Sequence, residues 1–102
     1  MSGKPDIAIS DAEWHIVRDI LNKHLSGYPV WAFGSRVRRT HKPFSDLDIV
    51  VGGDYPLTIS TLAALNEAFT ESDLPWKVDI VDAATISDAF LSHIETHKVA
   101  LQ

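Results

Sequence analysis

Apolar and polar positions change period several times along the chain, and each change predicts an element. Trp14, Val17, Ile20, Leu21, His24 and Leu25 recur at helical spacing. Ser10 and Glu13 ahead of them make a capping-box pattern, in which hydroxyl and carboxylate each satisfy a free backbone N–H. Gly27 and Pro29 end that helix. Residues 30–33 form a short apolar strand cut off by Gly34-Ser35. Residues 36–40 suit one helical turn, and 42–45 read as loop, because Pro43 disfavours helix in the residue before it. A second strand is predicted over 46–51, and a turn over 52–56. A helix follows over 60–71, with Leu62, Leu65, Ala68 and Phe69 on one face, until Leu74-Pro75 breaks the pattern. The third strand covers 76–81, with Val78 and Ile80 on one face and Lys77, Asp79 and Val81 on the other. A last helix is expected over 85–99, with Phe90, Ile94 and Leu101 as its stripe. The order predicts an α/β fold: a small mixed sheet packed against helices.

Composition narrows what this fold does. The 102 residues suit one domain, 1–102. No apolar run approaches the roughly 18–20 residues of a membrane span, and residues 1–10 do not read as a signal peptide. The absence of cysteine excludes a disulfide scaffold, a thiol nucleophile and a cysteine zinc site, so a cytoplasmic location is expected. A net charge of −5 argues against a general nucleic-acid surface. The basic residues Arg36, Arg38, Arg39 and Lys42 nevertheless cluster with His41 in an acid-free stretch, which suggests a small anionic ligand or a solvated loop.

Three features carry chemistry. Gly34-Ser35 follows a strand, where glycine lets a backbone approach a phosphate and a turn offers free N–H groups. Asp46 and Asp48 are two apart at the head of the next strand, so their carboxylates share a face. Such a pair repels unless a cation sits between, and hard oxygen ligands suit Mg²⁺. Asp79 interrupts an apolar strand, which is costly unless it has a partner. If the first two strands run antiparallel and a helix carries the chain to a parallel third, all three carboxylates meet.

Gly34-Ser35, ten residues, then Asp46-x-Asp48 matches the signature of the polymerase-β-like nucleotidyltransferases. Four fixed residues at that spacing arise by chance in about one such chain in a thousand, at usages of roughly 5–7% each. The stretches around 31–51 and 76–82 resemble the minimal nucleotidyltransferase branch in particular, and the element order agrees along nearly the whole chain. Arg39 departs from the small residue that many relatives carry there. The resemblance implies that Asp46 and Asp48 hold two Mg²⁺ ions. Asp79 would ligate the catalytic ion and help activate an acceptor hydroxyl. Gly34, Ser35 and Arg36 would grip the phosphates of ATP. It further implies a small helical HEPN-type partner in a toxin–antitoxin pair, with AMP moved onto a tyrosine of the toxin. A contact-only antitoxin and a two-chain small-molecule modifier, similar to the aminoglycoside nucleotidyltransferases, are the rival readings.

Other residues fit simpler roles. His93 and His97 are four apart, and without an evident third ligand they read as a half-exposed helix face. Trp14, Trp31 and Trp76 read as core or interface aromatics. Ser35 has no histidine placed by sequence to make it a nucleophile. Acceptor specificity is expected from a second chain or a second copy of this one. Phe90, Ile94 and Leu101, and the turn 52–56 with Tyr55 near the carboxylates, are the expected docking surfaces.

Overall fold

The computed structural model describes residues 4–102, so the first three residues of the leader segment considered above lie outside it. Helix α1, Asp11–His24, begins as its sequence dictates. The Glu13 N–H donates to the Ser10 hydroxyl at 3.1 Å, and the Ser10 N–H donates to the Glu13 carboxylate at 2.8 Å. Trp14, Val17 and Leu21 are its buried face. Strand β1, Val30–Phe33, leads into a single turn of helix, α2, Ser35–Arg38. Strand β2 is Leu47–Val51 and helix α3 is Ile59–Thr70, opened by the Thr58 hydroxyl accepting from the Thr61 N–H. Strand β3, Val78–Asp82, passes through a 3₁₀ turn, Ala83–Thr85, into α4, Asp88–Glu95, and the short strand β4, Val99–Ala100.

The four strands lie in the order β3-β2-β1-β4. β1 and β2 are antiparallel, and α3 carries the chain across so that β3 runs parallel to β2. This is the mixed sheet anticipated from the sequence. Alternation sorts the side chains onto two faces. Val30, Ala32, Leu47, Ile49 and Val51 are buried among Val17, Leu21 and Leu25 of the α1 region and Leu65 and Phe69 of α3. On the opposite face Phe33 and Val50 are buried with Ile94 of α4. Trp14 and Trp76 belong to the main core, as expected.

The C-terminal segment corrects the sequence reading. The expected helix to residue 99 stops at Glu95, and Val99–Ala100 pairs with the free edge of β1. Ile94 is the last buried residue of the helix, and the N–H groups of His97 and Lys98 both turn back to its carbonyl. Beyond it, the edge of β1 offers Val99 a ladder and a β-branched fit that another helical turn lacks. Ile94 and Leu101 are therefore core residues, 1% and 9% exposed, and not a docking stripe. Phe90 is more open and stacks edge-on against Phe33, with ring centroids 6.0 Å apart.

Candidate active site

β2 runs away from its two carboxylates. Asp46 stands just ahead of the strand and Asp48 is its second residue. In the ladder Asp48 lies opposite Phe33 on one side and Asp79 on the other. Asp48 and Asp79 therefore share the sheet face that α4 covers only in part. Burial pushes the Asp48 carboxyl up to about 6, and the negative charges of Asp79 and Asp46 add to the effect. Asp48, paired with Asp46 by spacing, and Asp79, which interrupts its strand, thus lie at one end of the sheet, and the Asp48 carboxyl senses both other acids. Asp82, at the other end of β3, is spent on structure: its carboxylate accepts from the N–H groups of Leu57 and Ala84 at 2.7 and 3.0 Å.

Gly34 closes the same corner. Its φ of +80° is in the region that favours glycine, and an added Cβ would drive into the Asp48 carboxylate. The neighbouring acid and the positive φ are thus each a reason for glycine here. Ser35 follows at the start of α2, partly buried. Arg39 ends the turn with a φ of 63°, a conformation better suited to a small flexible residue, and its guanidinium pairs with Asp6 at 2.8 Å.

Arg36 departs from its expected role. Its side chain is 4% exposed and stacks over the Trp76 ring at 4.5 Å. Its guanidinium donates to the carbonyls of Ser45, Ala8 and Pro43 at 2.9, 2.8 and 3.1 Å. A guanidinium committed to three carbonyls pins the loop before Asp46 and is not free to grip a phosphate. Arg38, two residues on, is exposed, and no acid pairs with it among the described residues. Beside it lies His97, whose Nε2 accepts the Gly34 N–H at 2.9 Å and whose Nδ1 is 3.3 Å from the Arg38 guanidinium. Burial, then Arg38, then His93 hold the His97 imidazole below its usual range. Reading residues 85–99 as one helix hid this contact, since β4 is what turns His97 toward β1. The turn 52–56 is also corrected: it leaves the far end of β2, about 15 Å from the carboxylates at 3.3 Å per residue.

Among the described residues, no three His, Cys, Asp or Glu side chains close around a point as a finished metal cage. What the site offers is an open set of acids, one crowded enough to resist ionisation beside its neighbours. That donor chemistry fits Mg²⁺, which takes one or two carboxylates and completes its shell with substrate phosphates and water. A cavity of about 820 Å³ opens beside Asp46, with Phe44, Asn66, Trp76 and Lys77 on its walls.

The model of the nucleotidyltransferase domain matches residues 15–101. The chain belongs to the nucleotidyltransferase domain family. Over all 102 residues it is 42% identical to the "Probable protein adenylyltransferase MntA" of Haemophilus influenzae, 90% of whose length it covers. A toxin–antitoxin structure solved with AMP-PNP shares the fold at a TM-score of 0.72, with 23% identity, covering 87% of this chain and 72% of that one. The spectinomycin adenyltransferase AAD(9) of Enterococcus faecialis, solved with ATP and spectinomycin, matches at a TM-score of 0.55 and 28% identity over 72% of this chain and 34% of that one. This nucleotidyltransferase carries its Gly34-Ser35 and its three acids in one corner of the sheet, and the matched segment contains them all.

Proposed function

We propose that this nucleotidyltransferase moves AMP from ATP onto a hydroxyl of a partner protein, as the antitoxin of a toxin–antitoxin pair in the cytoplasm. The observation that carries the reading is the corner where Asp48, Asp79 and Gly34 meet, in a chain 42% identical along its whole length to a protein named as an adenylyltransferase. Asp46 and Asp48 would hold two Mg²⁺ ions, which would neutralise charge on the triphosphate and on the attacking and leaving oxygens. Gly34 and Ser35 offer backbone N–H groups to the phosphate tail, and Arg38 adds positive charge. Asp79 takes the proton of the acceptor hydroxyl as its oxygen bonds to the α-phosphorus. The bond from that phosphorus to the bridging oxygen breaks, and pyrophosphate leaves.

The resemblance and the toxin–antitoxin neighbour support a helical HEPN-type toxin as the partner, with a tyrosine as acceptor. The likeness to a spectinomycin adenyltransferase supports a second reading, a small-molecule modifier completed by another chain. Mass spectrometry of the partner co-expressed with wild type or with Asp48→Asn separates these. The proposal expects one or more AMP groups on the partner with wild type and none with the variant. An unmodified partner that is still neutralised would leave contact alone as the mechanism.

A further inference from the structure

The contact between His97 and Gly34 has no part in the transfer just described, yet it occupies one of its donors. Its position follows from the ladder. β4 pairs with β1 through Trp31↔Ala100 and Ala32↔Val99, and continuing this register by two residues brings His97 opposite Gly34. The backbone of His97 is fastened by its own N–H to the Ile94 carbonyl, and Lys98 beside it lies over the Trp31 ring at 4.1 Å. The imidazole is thus delivered by two ordered elements and not by a free loop. For Nε2 to accept the Gly34 N–H, that nitrogen must be unprotonated. The proton then lies on Nδ1, which can donate to the Thr96 hydroxyl 3.1 Å away. That hydroxyl in turn donates to the His93 carbonyl at 2.8 Å. The Gly34 contact sets the tautomer, and the Nε2 lone pair points at the N–H that a phosphate oxygen would use. Arg38, which can only donate, then faces a protonated Nδ1 at 3.3 Å and makes no hydrogen bond to it.

We propose that His97 is a placeholder in the phosphate cradle: its neutral imidazole caps the Gly34 N–H and is displaced when a nucleotide phosphate takes that donor. The proposal rests on the nucleotidyltransferase reading and adds to it a built-in competitor for substrate. Satisfying the N–H keeps the corner ordered without ligand, since an unpaired donor in a half-buried turn is costly. Displacement leaves the ring beside the phosphate tail, next to Arg38.

The test is binding of AMP-PNP with Mg²⁺, measured by calorimetry on the intact protein and on His97→Ala and His97→Gln. The alanine variant should bind about fivefold more tightly, the factor equivalent to roughly one net hydrogen bond. The glutamine variant retains an acceptor and should bind much as wild type does. In wild type, AMP-PNP should shift the Gly34 amide and His97 ring resonances together, a readout that needs no variant to fold. Equal or weaker binding by a folded His97→Ala overturns the placeholder alone, as does a Gly34 shift that leaves the His97 ring unmoved. Loss of binding in every form, wild type included, overturns the nucleotidyltransferase reading along with it.

Discussion

Asp48 links the acid cluster to stability. Its folded-state carboxyl is raised from 3.8 to about 6 by burial and by two neighbouring acids, so the empty protein disfavours its charged form. Between those two values the folded chain holds a proton that the unfolded chain has released. Stability of the metal-free protein should therefore fall as pH rises through about 4 to 6 and stay lower above it. Asp48→Asn removes that penalty. After discounting for solvent screening it should be about 1 kcal/mol more stable near neutral pH, with a flatter pH profile and no transfer. Thermal melts at pH 4 and pH 7 check the first half, and a transfer assay the second. Gly34→Val places a side chain against that carboxylate at a positive φ, and should lose about 1–3 kcal/mol of stability as well as activity, measured by denaturant unfolding. Arg36→Ala leaves three carbonyls and a tryptophan face without their partner. It should cost about 3 kcal/mol or more by urea titration, an effect too large for a merely solvated loop. Asp46, Asp48 and Gly34 were legible because a fixed spacing across one antiparallel pair is local information, and Asp79 because a carboxylate breaks an otherwise apolar strand. Arg36 was misread because a guanidinium is equally suited to phosphate and carbonyl oxygens, and which one it meets depends on how residues 8 and 43–45 fold around it.

At the scale of elements, the strands and helices that bound the site follow the periodicity closely. β1 matches its expected limits, α1 starts at its predicted cap and ends at His24, one residue short of Leu25, and α3 differs by a residue at each end. The helices bury one continuous stripe and β1 is a short apolar run buried on both faces, so pattern and environment agree. The C-terminus does not. Residues 85–99 carry an apolar spacing that a helix could use, but the free edge of β1 competes for Val99 and Ala100, and no local pattern announces a long-range partner of two residues. Missing β4 also hid His97, because its contact is a consequence of register. The buried position of Ile94 decides its prediction. Ile94→Asp inserts a charge among Phe33 and Val50 and should unfold the chain or cost more than about 3 kcal/mol, seen as lost circular dichroism.

As a whole molecule, the described residues are one sheet with helices on both faces, and no helix is long and apolar enough to cross a membrane. Phe44, 77% exposed, borders the cavity at Asp46. A net charge of −5 favours a partner that presents positive charge. In the proposed reaction Asp46, Asp48 and Asp79 together move a nucleoside monophosphate, not a phosphate, onto that partner. The direct measurement supplies the purified pair with Mg²⁺ and ATP labelled at either the α- or the γ-phosphate, with Asp79→Asn as control. The account predicts that α-label alone enters the partner and that the variant transfers none. Transfer of γ-label, or undiminished α-label with Asp79→Asn, would contradict it.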